Sequence, residues 1–132
     1  MNAPVSHGEL FDKITILRIK EARIDDESKL RNVRRELRAL EDVAAKVDPP
    51  PPEQLVRQLQ EVNERLWEIE DDIRDKERLQ AFDEEFIRLA RSVYLTNDRR
   101  AELKRDVNRV TGSALVEEKS YQDYQGTGAV GN

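Results

Sequence analysis

The sequence has no cysteine and a single histidine, His7. Zinc sites built from thiolates or imidazoles therefore cannot be assembled within one chain, and neither can Cys/His nucleophilic dyads. Any metal held by this chain would have to be a hard cation ligated by oxygen. Long hydrophobic runs are missing too: no stretch approaches the roughly 18 consecutive apolar residues that a membrane span needs. The opening residues lack a basic flank followed by an apolar run. The expectation is a cytoplasmic protein that does not engage a membrane. Basic residues are in deficit, 23 against 28 acidic for a net charge of -5. The overall field opposes a phosphate backbone, so no nucleic-acid partner is expected. The five glycines and five prolines lie near the first turn, in one central run and in the tail, which leaves two long stretches free of helix breakers.

What is present is charge and helical period. The 132 residues are 39% charged and 37% hydrophobic, proportions that suit one slender helical domain better than a thick layered core. Ser6, His7, Gly8 and Glu9 match a capping box, in which the Ser6 hydroxyl and the Glu9 carboxylate each satisfy a free backbone donor. A helix is predicted from about His7. Leu10, Ile14, Leu17 and Ile24 mark its apolar stripe, continued out of phase by Leu30, Val33, Leu37, Leu40, Ala44 and Val47. The phase slip predicts a bend near Asp25 to Ser28, or a full break with Ser28 capping a second segment. Asp48 and the four prolines that follow end this run and form a turn. The next helix carries an unbroken seam of Leu55, Leu59, Val62, Leu66, Ile69 and Ile73. The two long rods are expected to pack antiparallel across the proline corner, like a short coiled coil.

Phe82 and Asp83 read as a staple residue and N-cap for a third helix, carrying Phe86, Ile87, Leu89, Ala90, Val93 and Tyr94. Thr96 or Asn97 can cap a fourth, ending at Gly112. The fold class predicted is therefore all-α: a long antiparallel helical hairpin with two shorter C-terminal helices packed on its open end. Residues 6–124 are read as one domain, with a short arm over Ser113 to Tyr124, and residues 125–132 as a disordered tail.

Three polar lines run beside the apolar seams. On the second long helix, Asn63, Trp67, Glu70, Arg74 and Glu77 fall at steps of four, three, four and three and so share a face. On the C-terminal part, Asn97, Arg100 or Ala101, Lys104 and Asn108 form another, and Glu9, Lys13, Lys20 and Arg23 form a third on the first helix. If the lines converge at the open end of the hairpin, the cluster beside Trp67 and Tyr94 can bind an anionic small molecule or sustain acid/base work. A structural network fixing the helices in register accounts for the same residues.

Glu68, Asp71, Asp72 and Asp75 add a carboxylate stripe whose spacing can hold Mg2+. No matching second acidic motif is found on the first helix, and a solvated acidic face explains the stripe better. Arg31, Arg34, Arg35 and Arg38 make a basic patch, but Glu36 and Glu41 interrupt it and no aromatic residues interleave. Pairing with acidic side chains accounts for it more simply than stacking on nucleotides.

Several strings carry a family resemblance: Gly8-Glu9-Leu10 with Asp12-Lys13 and Thr15-Ile16-Leu17, then Leu66-Trp67-Glu68-Ile69-Glu70-Asp71 with Ile73-Arg74, then Leu89-Ala90-Arg91 with Tyr94 and Asn97-Asp98. Arg100-Ala101, Lys104 and Glu117-Glu118-Lys119-Ser120-Tyr121 complete them. The chain resembles a family of uncharacterised small bacterial helical proteins, a domain of unknown function sometimes met near surface-polysaccharide genes. The resemblance covers about Ser6 to Tyr124 and carries no established activity. It implies that the polar lines belong to a recurring pattern, and it draws in the Glu117-Glu118-Lys119 arm.

The binding candidates are thus Lys13, Lys20, Asn63, Trp67, Glu70, Asp71, Arg74, Tyr94, Asn97, Asp98, Lys104 and Asn108, with no catalytic residue assigned and no metal site. The function expected is a non-catalytic helical binding or assembly module without a cofactor, dimeric or bound to another protein, with a possible link to surface-polysaccharide biosynthesis. The alternative is a small all-α enzyme or ligand-binding protein for a phosphorylated or nucleotide-sugar substrate. In that reading Glu70 and Asp71 act as acid/base groups or Mg2+ ligands, and Lys13, Arg74 and Lys104 neutralise the anion.

Overall fold

A computed structural model describes residues 3–115. Among these residues the chain is all-helical, without strands, and comprises α1 (His7–Arg23), α2 (Glu27–Ala44), α3 (Glu53–Arg78) and α4 (Glu84–Thr111). No helix among them is long and apolar enough to cross a membrane. The expected arm over Ser113 to Tyr124 and the tail 125–132 lie almost wholly outside the described residues.

Three expectations about the elements need correction. The first long helix is two helices, because Ile24 leaves the helical region as the C-cap of α1 and Asp26, not Ser28, caps α2 by accepting from the Lys29 amide at 3.1 Å. The break matches the phase slip in the stripe: once the chain turns back at residues 24–26, Val33 and Leu37 of α2 join Leu10, Ile14 and Leu17 of α1 in a single core, and Leu30 is buried one turn before Val33. The two shorter C-terminal helices are one helix of 28 residues. Thr96 and Asn97 are good capping residues, yet no glycine or proline separates Asp83 from Gly112, and Thr96 is buried within the continuous helix.

The third correction concerns the proline corner. It does not fold α3 back along α2: α2 packs on α1 alone, while α3 packs on α1 and α4. The chain pairs instead as α1 with α2 and α3 with α4, and α1 is the helix that touches all the others. Its burial pattern explains this central place. Leu10, Ile14 and Leu17 form one buried row, facing α2, and Gly8, Asp12, Thr15 and Ile19 form a second at steps of four, three and four. A helix with two buried faces must have neighbours on both sides.

Contacts between named residues give the directions. Gly8, Glu9 and Asp12 meet Asn108, Lys104 and Arg100 in turn, so α1 runs against α4. Asp12 and Thr15 meet Asn63, and Arg23 meets Glu68, so α1 runs with α3. The end of α1 therefore lies level with about Glu68. Beyond it α3 continues to Arg78, about 15 Å further at 1.5 Å per residue, and α4 returns beside it. This part of the α3–α4 hairpin projects past α1 as a two-helix finger.

Caps set the finger and the far end. Asp83 caps α4 by accepting from the Phe86 amide at 3.0 Å, as its position predicts, and the rings of Phe82 and Phe86 meet edge-on at 5.2 Å. Lys76 closes the turn, its ammonium 3.0 Å from Asp83 and 3.1 Å from Glu85. Gly112 ends α4 in the left-handed conformation, at φ 64°.

Candidate functional site

The densest polar arrangement lies where α1 crosses α4 beside α3. Asp12 is 1% exposed, so its charge must be matched inside the protein. Arg100 of α4 supplies the match in a two-pronged contact, with Nε donating to Oδ1 at 2.9 Å and Nη2 donating to Oδ2. Asn63 of α3 uses both amide protons here, one to Asp12 Oδ1 and one to Thr15 Oγ1, each at 2.8 Å. The Thr15 hydroxyl in turn donates to the Asp12 backbone carbonyl at 2.7 Å. One buried carboxylate thus ties three helices together, with protein donors on both of its oxygens.

Toward the start of α1 the same crossing continues as a ladder. Lys104 Nζ lies 2.7 Å from Glu9 Oε2, so the Glu9 carboxylate goes to Lys104. The Ser6 half of the expected capping box forms, Ser6 Oγ accepting from the Glu9 amide at 3.0 Å. The Gly8 amide donates to Asn108 Oδ1 at 2.7 Å. The His7 amide donates to Ser113 Oγ at 3.1 Å. Because the Thr111 hydroxyl donates to the Val107 carbonyl, it is His7 Nδ1 that donates to Thr111 Oγ1, at 2.8 Å. The free amides at the start of α1 are therefore taken by side chains of the chain itself. Among the described residues, Asn108 Nδ2 is buried and finds no hydrogen-bond partner.

Gly8 makes this crossing possible. A Cβ at that position would fall inside contact distance of the Lys104 carbonyl oxygen and crowd the Asn108 side chain. The backbones of α1 and α4 approach so closely that only glycine fits.

The candidate residues read from the sequence fall into separate places. Asn63, Lys104 and Asn108 belong to the crossing just described. Asn97 and Asp98 lie half-buried one turn before Arg100 on α4. Lys13 turns to the other side, 3.3 Å from Glu36 of α2. Lys20 is half-buried on α1. Trp67 lies under the guanidinium of Arg23, 5.9 Å from its ring centroid. Glu70 and Asp71 face solvent and pair with Arg74 of their own helix at 3.9 and 4.0 Å. Tyr94 is 64% exposed at the base of the finger. The structure brings the α4 line to α1, but it leaves Lys13, Glu70 and Tyr94 on three different surfaces.

Asp12, Thr15 and Gly8 were missed as a unit by the sequence reading. Their signal is the second row on α1, which interrupts an otherwise apolar period with one glycine, one aspartate and one threonine at helical spacing. Asp12 is one position from Lys13, and the polar line drawn through Lys13 follows the wrong face.

A separate groove of about 410 Å3 opens where α1, the end of α2 and the start of α3 meet, lined by Phe11, Ile14, Ala44, Pro51 and Val56 with the Arg18–Glu41 ion pair at its lip. None of the binding candidates lines it. Among the described residues, no group of three or more His, Asp or Glu side chains is placed to hold a metal ion.

The family model of a family of unknown function, DUF6165, matches residues 1–130. The chain belongs to that family. No curated protein and no solved structure matches it. The match spans the Asp12 crossing and the finger alike, so both are parts of a DUF6165 domain.

Proposed function

We propose that this DUF6165 protein is a non-catalytic binding or assembly module that presents the α3–α4 finger to a protein partner. The observation that carries this reading is where the large apolar side chains are exposed. Leu79, Phe82, Ile87, Tyr94 and Leu95 are each more than half exposed, and all lie between residues 79 and 95, on the part of the chain that projects past α1 or at its base. Solvated helical surfaces rarely gather so many apolar groups unless something covers them. Among the described residues, no third helix packs on the projecting part of the finger.

The polar crossing supports the same division of labour. Its charges and amides are used to hold α1 against α3 and α4, a structural role that fixes the base from which the finger extends. An enzymatic reading would ask Glu70 and Asp71 to work with Lys13 and Lys104. Those carboxylates sit on the exposed side of α3, whereas Lys13 is held by Glu36 and Lys104 by Glu9.

Photo-crosslinking in cells tests the proposal. A photoreactive residue at Ile87 yields a protein adduct, and one at Val43, equally exposed on α2, does not. Absence of any adduct from the finger, or equal yield from both positions, overturns it. A nucleotide, sugar nucleotide or Mg2+ that raises the melting temperature would favour the enzymatic reading instead.

A further inference from the structure

We infer that the partner covering the finger is a second copy of this chain, docked antiparallel along α4 about a two-fold axis that passes between Ile87 and Arg88. The inference rests on the reading of the finger as a binding surface and adds the identity of the occupant.

The argument comes from one row on α4. Glu84, Ile87, Arg91 and Tyr94 follow at steps of three, four and three, so they share one face, and all four are exposed. The neighbouring charges of the finger are mostly taken: Lys76 by Asp83 and Glu85, Arg78 by Asp75, and Arg74 by Glu70 and Asp71. Glu84 and Arg91 form no ion pair among the described residues. They lie seven positions apart, about 10 Å along the helix axis, with Ile87 between them.

That pattern is self-complementary. A two-fold interface is made of one patch meeting itself, so each residue needs its complement at the mirrored distance from the axis. With the axis between Ile87 and Arg88, Glu84 and Arg91 are equally far from it on opposite sides. Antiparallel docking then sets Glu84 of each copy against Arg91 of the other, making two ion pairs from side chains that have none among the described residues. The two Ile87 side chains meet at the axis. Tyr94 of each copy falls opposite the turn of the other, where Leu79 and Phe82 stand exposed. The same geometry lays two α3–α4 fingers side by side as a four-helix bundle, the arrangement that gives two-helix hairpins a core. A parallel pairing would set Glu84 against Glu84 and Arg91 against Arg91, which like charge opposes.

Charge exchange tests this. Sedimentation of the full chain across micromolar to submillimolar concentrations gives a monomer–dimer equilibrium. Glu84→Arg and Arg91→Glu each weaken dimerisation by about tenfold or more, because each introduces two like-charge contacts per dimer. The double variant Glu84→Arg/Arg91→Glu restores the wild-type constant to within about threefold. Circular dichroism and melting confirm that each variant keeps its helices, as exposed positions allow. A wild-type chain that stays monomeric overturns the inference, as do single reversals without effect or a double variant no better than the singles. The crosslink at Ile87 separates this failure from that of the broader reading: an adduct with a different protein sinks the second copy and keeps the binding finger, whereas no adduct sinks both.

Discussion

Arg100 grips the buried carboxylate of Asp12 from the far side of the α1–α4 crossing, 88 positions away in sequence, and Asn63 completes the contact from α3. The Asp12 side chain is almost wholly excluded from solvent, whereas the Arg100 side chain is 29% exposed. That asymmetry decides what each substitution does. Asp12→Ala leaves Arg100 able to reach water but strips Asn63 of an acceptor and opens a small gap. Arg100→Ala leaves a negative charge in the interior with only amide and hydroxyl neighbours. Breaking a buried pair on one side costs about 3 kcal/mol or more, and Arg100→Ala is the costlier of the two. Urea unfolding measures both, and the double variant loses clearly less than the sum, since neither charge is then stranded.

Gly8→Ala tests the close approach of the two backbones. The obstacle is the main-chain carbonyl of Lys104, which cannot swing aside as a flexible side chain would. The helices must separate, which loosens the Gly8 amide from Asn108 and the Glu9 contact to Lys104 along with it. The expected loss is about 1–3 kcal/mol, the usual range for overpacking a tight contact, even though alanine is the better helix former. A chain that gains stability on this change would disprove the tight crossing.

Much of the fold is legible in the residues, and the parts that are not share a cause. Ser6, Asp83 and Gly112 announce helix ends through local chemistry, and each acts where its spacing predicts. The stripe from Leu10 to Val47 and the seam from Leu55 to Ile73 mark which faces bury. What those signals leave open is which buried face meets which. Leu30, Val33 and Leu37 fit a seam on α3 as well as one on α1, and the choice rests on whether the chain turns at Asp25 and Asp26 or runs on. Asp12 is opaque for the same reason: a charged residue on a helix is usually solvated, and only the long-range presence of Arg100 and Asn63 makes its burial favourable. Thr96 misleads in the opposite direction, since a residue that often caps helices is buried within one here.

Gly112→Ala is expected to fray the end of α4. Glycine enters the left-handed region freely, whereas a residue with a Cβ is held there at a cost of about 1 kcal/mol. The loss is local, because no atom crowds the position. Amide exchange of the last turn, through Asn108 and Thr111, therefore quickens more than that of α1 or α3. The His7–Thr111 and Ser113 contacts loosen with it.

The base of the turn between α3 and α4 should respond to pH at both extremes. Asp83 is held below its ordinary value, first by the Phe86 amide it caps and then by the Lys76 ammonium. A lowered carboxyl contributes stability that is present above its unfolded value of 3.8 and is lost as pH falls through the folded one. Lys76 is raised above 10.5, chiefly by hydrogen bonds to Asp83 and Glu85, so its contribution is complete below 10.5 and disappears as pH climbs through the raised value. The turn is thus tightest between those limits and flat across neutral pH. Amide exchange at Phe86 and Ile87, corrected for intrinsic rates, should show protection constant through the neutral range and falling on the acid side. Lys76→Met removes one of the groups holding Asp83 down while leaving the helix cap, so the acid limb should move toward higher pH without vanishing. An acid limb that stays in place in that variant would show that the ammonium does not act on the carboxylate.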